Sequence, residues 1–240
     1  MIKCSVLSVK NTYDYCRVEM NVHEDIKINP GQFIMIKSNS GPFLPKPFSV
    51  VNQKGNVLTL LIKKVGRLSN ELSESVSGDI FFIKGVHGKG YYDSIDISRK
   101  YILLGAGCGS APLMHFSYVY PDNVYKKLFA FKDSSVYDIL EDDFFIQDER
   151  NENVIDYAIS FTDNNTGIIA SGGIAFLKAV KEKTSSLSHV YAVLDERMGC
   201  GDGYCKGCPV MTADGVKMVC KDGPLFDLKK LDLEWGDDFE

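Results

Sequence analysis

The sequence lacks the features of several large protein classes. Its 240 residues contain no apolar run near the roughly 18 residues that a membrane-spanning helix needs, and the first ten residues lack the apolar core of a signal peptide. Acidic residues outnumber basic residues, 32 to 27, whereas nucleic-acid-binding proteins normally present a basic face. We therefore expect a cytoplasmic protein that binds neither nucleic acid nor membrane.

The content of hydrophobic and charged residues, 45% and 25%, is that of an ordinary globular protein. The length predicts one or two domains with a small appendage. Four of the seven cysteines fall within the last 41 residues. Because cytoplasmic thiols rarely form structural disulfides, this clustering indicates a chemical role for them.

The first 97 residues have the pattern of a β domain. Short segments rich in β-branched and aromatic residues alternate with turn signals, and strands are predicted at 4–9, 15–22, 33–36, 48–51, 57–62 and 80–83. This spacing suggests an antiparallel barrel or sandwich. One helix is predicted over 69–75, with Ser69 as its N-cap.

From residue 98 the pattern changes to an alternation of strands and helices. Strands are predicted at 101–104, 127–131, 157–161, 168–171 and 190–193, and a helix at 173–183. This alternation is typical of a doubly wound parallel α/β sheet. The acidic stretch 133–153 is predicted to form a short helix and a loop.

The strongest chemical signal is the spacing of four cysteines. Cys200, Cys205, Cys208 and Cys220 follow the pattern C-x4-C-x2-C-x11-C, which is typical of plant-type [2Fe–2S] proteins. Glycines between them let backbone amides approach the cluster sulfurs. The fourth thiolate is expected on a strand over 216–220. Such a cluster carries single electrons and predicts redox partners on both sides.

A structural zinc site is the main alternative for these cysteines. Zinc ribbons generally use two C-x2-C pairs, and this sequence has one. The spacing therefore favours iron and sulfide over zinc.

A glycine-rich turn follows the strand at 101–104. It contains Gly105, Gly107 and Gly109 and leads into a helix-like segment, the context in which a dinucleotide pyrophosphate reaches a helix N-terminus. The segment 171–173 should end a neighbouring strand at the same sheet edge. A turn that binds nothing is the alternative interpretation.

Other candidate residues carry weaker signals. Two segments combine basic residues with hydroxyl groups: Lys46-Pro47-Phe48-Ser49, and Gly66-Arg67-Leu68-Ser69 before the first helix. Either alone would pass for an ordinary strand or turn. His87 is interpreted as an exposed loop residue, because its neighbours give no metal-ligand spacing. Cys108 is interpreted as a small loop residue, because no histidine is placed to activate it.

Together these segments resemble the ferredoxin reductase-like flavoproteins and, within them, the family of dihydroorotate dehydrogenase electron transfer subunits. The family's flavin, phosphate and nucleotide motifs are similar to residues 46–49, 66–69, 85–91 and 105–112. The closest similarity surrounds the four cysteines, at 196–208 and 219–227.

The resemblance implies an FAD-binding β-barrel over 1–97, a nicotinamide nucleotide-binding α/β domain over 98–195 and a [2Fe–2S] domain over 196–240. It implies an NAD-linked oxidoreductase subunit in pyrimidine biosynthesis. A catalytic dihydroorotate dehydrogenase subunit, in a heterotetramer of two plus two, would send electrons through the cluster and FAD to NAD+. No residue is assigned as catalytic.

The resemblance also implies the binding residues. The implied cofactor-binding residues are Lys46, Pro47, Phe48, Ser49, Gly66, Arg67, Leu68, Ser69, Gly105, Gly107, Gly109 and Gly172. The implied cluster ligands are Cys200, Cys205, Cys208 and Cys220. Ser49 would hydrogen-bond the reactive edge of the isoalloxazine ring, and Phe48 would pack beside it.

Several residues depart from the family pattern. Lys46 replaces an arginine, which exchanges a guanidinium that can make two parallel hydrogen bonds to the flavin pyrophosphate for a single point charge. Ser171 and Gly173 replace Cys and Pro in the second nucleotide loop. Asp202 adds a carboxylate to the cluster loop, which is expected to lower the reduction potential. Asp133 favours NAD over NADP through repulsion of a 2′-phosphate, while the neighbouring Lys132 argues for NADP.

Two other functions stay open. The chain could be a reductase subunit of another complex of this superfamily, of the ferredoxin or sulfide type, or a non-enzymatic binding module that holds zinc.

Overall fold

A computed structural model describes residues 1–91, 94–140, 145–147 and 153–234, with backbone alone for 145–147. The predicted helix and loop at 133–153 lie partly outside these ranges, where the described part begins with a 3-10 turn at Ser134–Asp138. The acidic residues at 235–240 lie entirely outside them. No helix in the described ranges is both long and apolar enough to span a bilayer.

The N-terminal region forms the predicted barrel-like antiparallel sheet, but with seven strands instead of six, because two short strands at 46–49 and 52–54 take the place of the one predicted at 48–51. The strands are β1 (Ile2–Asn11), β2 (Tyr15–Val22), β3 (Phe33–Lys37), β4 (Lys46–Ser49), β5 (Asn52–Lys54), β6 (Val57–Lys63) and β7 (Ile80–His87). Their order is β4-β3-β7-β1-β2-β6-β5. Alternating apolar side chains, among them Val18, Met20 and Leu60, are fully buried inside it, which gives this region a core of its own.

Helix α1 (Arg67–Glu74) follows β6 and begins earlier than predicted. Its N-cap is Gly66, so the prediction of Ser69 as N-cap is wrong. Ser69 lies in the first turn, where its hydroxyl accepts hydrogen bonds from the N–H groups of Val65 and Gly66 at 3.0 and 2.9 Å. The hydroxyl still satisfies helix-terminal amides, but it does so from inside the helix.

The second sheet has six strands in the order β10-β9-β8-β11-β12-β15. Its parallel strands are β8 (Lys100–Ala106), β9 (Val124–Ala130), β10 (Phe145–Gln147), β11 (Thr166–Ser171) and β12 (Val190–Val193). Helices α2 (Ser110–Val119), α3 (Val154–Ile159) and α4 (Ile174–Lys183) connect them. The doubly wound α/β prediction is confirmed.

The strand predicted at 157–161 is wrong, because helix α3 covers most of it. Val154, Ile155 and Ala158 are buried on one face of this helix, and the side-chain oxygen of Asn153 accepts a hydrogen bond from the Ile155 N–H at 3.1 Å. An apolar run this short has no clear period, and the cap selects the helix.

The cysteine segment adds a small three-stranded sheet in the order β14-β13-β16. The elements of the whole segment are β13 (Pro209–Thr212), β14 (Gly215–Met218), α5 (Val219–Asp222), β15 (Leu225–Asp227) and β16 (Leu231–Asp232). The strand predicted at 216–220 ends at Met218, because the Asp222 carboxylate accepts a hydrogen bond from the Met218 N–H at 2.8 Å and closes a helical turn. Cys220 therefore lies on α5.

Strand β15 belongs to the six-stranded sheet, although it lies between elements of the small sheet in the chain. It pairs antiparallel with β12, with Leu225 opposite Val193 and Asp227 opposite Tyr191. The chain that follows the cysteine loop thus forms one edge of the α/β sheet.

Candidate cofactor sites

A cavity of about 500 Å³ lies where the three regions of the chain meet. Nine of the twelve predicted cofactor-binding residues line it: Lys46, Pro47, Phe48, Ser49, Gly66, Arg67, Leu68, Ser69 and Gly109. The other three, Gly105, Gly107 and Gly172, lie in or beside the two adjoining turns and do not line it. The structure therefore brings the barrel segments and the first nucleotide turn to one space.

One wall of the cavity is the edge strand β4. Its residues pair with β3 alone, with Ser49 opposite Phe33 and Lys46 opposite Ile36. An edge position accommodates Pro47, which cannot donate a ladder hydrogen bond. Phe48 packs partly against the barrel core, and the exposed Lys46 brings a positive charge to the cavity.

A second wall is the start of α1, where the loop before the helix is open to the cavity. A Cβ built on Gly66 meets no atom of the described residues within 4 Å, so packing against them does not require glycine there. The space is available to a ligand that approaches the first amides of the helix, which is a favourable environment for phosphate.

Arg67 is partly engaged at this helix end. Its guanidinium donates a hydrogen bond to the Ser40 carbonyl, and Glu71 accepts hydrogen bonds from the hydroxyls of Ser38 and Ser40 at 2.8 and 2.5 Å. These contacts attach the loop between β3 and β4 to α1, and thereby fix the position of the β4 wall relative to the α1 wall.

The nucleotide turns meet at a switch point of the second sheet. Strand β8 lies between β9, which follows it in the chain, and β11, which comes from the other half of the domain. The loops that follow β8 and β11 touch, since a Cβ on Gly109 would lie 2.8 Å from the Gly172 Cα. In open α/β sheets ligands bind in the crevice at such a point.

At two other positions of these turns, backbone conformation or packing within the protein requires glycine. Gly107 has a φ of +57°, a conformation that other residues rarely adopt. A Cβ on Gly105 would lie 2.5 Å from the Ser110 hydroxyl oxygen and 2.9 Å from the Phe129 ring. Tight packing of β8 against the start of α2 thus requires a glycine there.

Sequence reasoning missed a further set of cavity residues, which follow β12. Asp195, Glu196, Arg197 and Met198 line the cavity, together with Pro224 from beyond the cysteines. Burial raises the pKa of Asp195, and burial together with the Asp195 charge raises the pKa of Glu196. The rule that ligands gather at carboxyl ends of parallel strands could have identified this segment.

Cys108 also lines the cavity. Burial and, to a smaller extent, the Asp195 charge raise the pKa of its thiol. Its interpretation as a small loop residue rather than an activated nucleophile is in keeping with this environment.

The four predicted ligands come together as two pairs. The sulfur atoms of Cys208 and Cys220 lie 3.2 Å apart. Both the side chain and the backbone N–H of Cys205 hydrogen-bond the Cys200 sulfur, the N–H at 3.5 Å. Within the described ranges, no three His, Cys, Asp or Glu side chains converge on a single metal position. Two thiolates for each iron is the arrangement that a [2Fe–2S] rhomb requires, so the residues present fit that group.

Backbone amides surround these sulfurs. The Asp202 N–H donates to the Cys200 sulfur at 3.3 Å, and the Gly203 N–H to the Cys220 sulfur at 3.1 Å. Burial raises the pKa of the Cys200 thiol, but hydrogen bonds from Cys205 and Asp202 outweigh it and lower the pKa to about 7. Amide donors of this kind stabilise thiolates and tune cluster potentials.

The interpretation of His87 as an exposed loop residue is wrong. It ends β7, its side chain is 7% exposed, and its Nδ1 lies 2.8 Å from the Asp202 carboxylate. Its Nε2 has no hydrogen-bond partner among the described residues. Burial beneath the cysteine loop is a tertiary effect that the local sequence does not signal.

Asp133 follows β9, near the carboxyl edge of the second sheet. Its carboxylate accepts hydrogen bonds from the Ser135 N–H and hydroxyl at 2.9 and 2.6 Å and from the Thr12 hydroxyl at 3.3 Å. The Ser135 hydrogen bonds hold its pKa below the usual range. The carboxylate is thus charged at neutral pH and also joins the second domain to the barrel.

The combination of barrel and α/β sheet is the ferredoxin reductase-like fold. A structure of an NADH-dependent reduced ferredoxin-NADP oxidoreductase superposes with a TM-score of 0.78 at 20% identity, over 96% of this chain and 90% of the other. Phthalate dioxygenase reductase superposes with a TM-score of 0.65 at 11% identity, over 91% and 93%.

Sequence comparison gives the family. Residues 195–232 match the model of the iron–sulfur cluster binding domain of dihydroorotate dehydrogenase B. The dihydroorotate dehydrogenase B (NAD(+)) electron transfer subunit of Clostridium perfringens is 30% identical over 86% of this chain and 88% of its own length. The chain belongs to the family of dihydroorotate dehydrogenase B electron transfer subunits.

A more distant relative has another name. The sulfhydrogenase 2 gamma subunit of Pyrococcus furiosus is 24% identical over 87% of this chain and 86% of its own length.

Proposed function

We propose that this chain is the electron transfer subunit of a cytoplasmic dihydroorotate dehydrogenase complex. Electrons released by a catalytic partner would pass singly to a [2Fe–2S] cluster, then to FAD, and leave in pairs as hydride to NAD+. Residues 1–97 would bind the flavin, 98–195 the nicotinamide nucleotide and 196–240 the cluster. Family membership and the four paired thiols support this assignment.

The observation on which the proposal mainly rests is the position of the thiols relative to the cavity. Met198 and Pro224, which flank the cysteine segment on both sides, line the same cavity as Lys46 and Ser49 of the barrel. A one-electron group on the thiols and a two-electron group in the cavity would therefore be neighbours. That is the arrangement a relay between a single-electron donor and a hydride acceptor requires.

In the proposed cluster site, the four cysteines would hold the cluster as two pairs, Cys200 with Cys205 and Cys208 with Cys220. A bound cluster supplies one-electron chemistry at this position. The amides of Asp202 and Gly203 donate hydrogen bonds to the sulfurs and set how easily the site accepts negative charge. Cys205 is exposed, whereas Cys208 and Cys220 are buried, which directs the Cys205 side outward, toward the catalytic partner.

In the proposed flavin site, residues of β4 and α1 would contact different parts of the FAD. The Ser49 hydroxyl would donate a hydrogen bond to the reactive edge of the isoalloxazine ring, and Phe48 would pack beside the ring. Lys46 and Arg67 would neutralise the pyrophosphate beside the amides at the open Gly66 position. The Ser69 hydroxyl is already engaged within its own turn, so Ser69 shapes the loop.

In the proposed nicotinamide site, the contact between Gly109 and Gly172 forms the floor of the switch-point crevice. Gly105 and Gly107 give the first turn its shape. Asp133 keeps its charge near this edge and disfavours a phosphorylated ribose, so the proposed nucleotide is NAD. The proposed assembly contains two copies of this chain and two of the catalytic partner.

The visible absorption spectrum of the protein, purified without oxygen, tests the proposal. We expect flavin and iron–sulfur bands, with two irons and two acid-labile sulfides for each chain. A colourless protein that holds zinc would overturn it.

A second candidate function is the reductase subunit of a different complex, favoured by the similarity to the sulfhydrogenase gamma subunit. The two candidates share cofactors and differ in their partner. Affinity purification of the tagged chain, followed by an assay for dihydroorotate oxidation, separates them. Activity in the purified complex supports the dihydroorotate dehydrogenase assignment.

A further inference from the structure

The end of strand β7 touches both halves of the cysteine segment. Before the cluster loop, the Lys84 ammonium donates a hydrogen bond to the Cys200 carbonyl. After it, the Lys89 N–H donates to the Gly223 carbonyl at 2.7 Å, and a Cβ on Gly88 would lie 3.1 Å from Pro224. The flavin barrel therefore holds the cysteine segment at two points separated by more than twenty residues.

Asp202 makes the central contact of this junction. One carboxylate oxygen lies 2.7 Å from the Lys84 nitrogen and the other 2.8 Å from the His87 Nδ1. An exposed ion pair usually contributes little to stability, but the His87 side chain is only 7% exposed. Both oxygens are engaged, so the carboxylate fixes the orientation of the loop as well as its position.

His87 fills the space between the loop and the cavity. Its ring stacks on Phe33, with centroids 5.8 Å apart and planes 30° apart, and Phe33 lines the cavity. On its other side the ring contacts the loop, since a Cβ on Gly201 would lie 3.0 Å from the His87 Nδ1. Cavity wall, imidazole and cluster loop are thus in continuous contact.

We propose that electrons cross between the flavin cavity and the cysteine site at the Phe33–His87 contact, and that Asp202 is the positioning residue that holds the loop there. This inference rests on the proposed function. It adds where the electron passes between flavin and cluster, and which residue holds the two sites in position. In that step one electron moves between flavin and cluster, one of which is oxidised as the other is reduced, and no bond forms or breaks.

The test compares Asp202→Ala and Asp202→Glu with the wild-type holoprotein. Removing a negative charge beside the cluster raises its reduction potential, and this change alone would speed electron transfer from flavin to cluster. Loss of the Asp202 contacts with Lys84 and His87 lengthens the electron path and slows the transfer. The two effects have opposite signs, so the rate distinguishes a positioning role from a purely electrostatic one.

After rapid mixing with NADH, we expect flavin reduction at the wild-type rate in Asp202→Ala. Cluster reduction should be roughly tenfold slower, although EPR titration shows a raised potential. Asp202→Glu should recover most of the rate. His87→Phe, which keeps the ring volume but loses the hydrogen bond to Asp202, should be slowed similarly, and the double variant should be no slower than either single one.

Asp214→Ala is the matched control. It breaks the 3.0 Å pair with Lys230 in the same cysteine segment, where both side chains are more than half exposed. This variant should match the wild type in rate and potential. If Asp202→Ala reduces its cluster as fast as the wild type or faster, Asp202 has no positioning role.

Iron and acid-labile sulfide are measured in every protein. A wild type without a cluster would overturn the proposed function itself. A wild type that relays electrons, alongside an Asp202→Ala variant of equal rate, would overturn this inference alone.

Discussion

The cysteine site and the cavity beside it are constructed in different ways. Three of the four thiols come from nine consecutive residues, and eleven residues separate the third from the fourth. The cavity instead gathers β4, the start of α1, the turn after β8, the last residue of β11, the end of β12 with the segment that follows it, and Pro224. One site depends on a single loop and the other on the packing of three regions.

This difference determines how each site should respond to mutation. In the cysteine loop each sulfur is a ligand that no neighbour can replace, so single changes should abolish binding. In the cavity many backbone and side-chain groups share the ligand, so single changes should weaken binding by graded amounts. The predictions below test that contrast, from the largest expected effect to the smallest.

Cys205→Ser should remove the iron–sulfur cluster entirely, because a serine hydroxyl is a poor substitute for a thiolate. Flavin content and NADH-dependent flavin reduction should persist, while electron transfer to the catalytic partner is lost. Iron and sulfide assays and the visible spectrum measure the outcome. Cys4→Ala, in the barrel core, is the matched control and should keep its iron. Full coupling in Cys205→Ser would contradict the relay.

Gly109→Val should separate the two nucleotide turns, because the new Cβ would meet the Gly172 Cα at 2.8 Å. A displacement of this kind should raise the KM for NADH on the order of a hundredfold, with the flavin and cluster bands unchanged. Gly90→Ala, whose Cβ would make ordinary contacts at 3.6 Å, serves as the control. An unchanged KM would place the nucleotide elsewhere.

Lys46→Ala should weaken FAD binding about tenfold, the usual size of one charge-assisted hydrogen bond. Lys46→Arg should bind FAD at least as tightly as the wild type, because a guanidinium forks onto two phosphate oxygens. Titration of flavin-free protein with FAD measures both. Lys54→Ala, outside the cavity on β5, should have no effect. Equal loss in the Ala and Arg variants would remove Lys46 from the pyrophosphate site.

Asp133→Asn should shift the preference for NADH over NADPH by about threefold toward NADPH, since a charge that is only partly buried is still screened by solvent. Ratios of kcat/KM for the two nucleotides give the result. Ser135→Ala leaves the charge in place and should not change the ratio. A preference that is the same in Asp133→Asn would assign nucleotide selection to other residues.

The same contrast explains what could be predicted from the sequence. Short apolar segments separated by turn signals predicted the β-barrel, the alternation of strands and helices predicted the α/β sheet, and the cysteine spacing predicted the cluster ligands, because all three are local patterns. The helix at α3 and the helical position of Cys220 depend on single capping groups, the Asn153 amide and the Asp222 carboxylate. The burial of His87 arises from a contact between distant segments, which no local pattern contains. The cavity position of Asp195 could have been inferred from the parallel strand that precedes it.

Strand β15 has a consequence for the integrity of the whole molecule. By pairing with β12 it covers what would otherwise be an open edge of the α/β sheet, and open edges are templates for aggregation. A truncation before the cysteine loop would therefore remove more than a redox centre. It would uncover the β12 backbone and favour self-association, so a shortened two-domain version should be less soluble than its composition suggests.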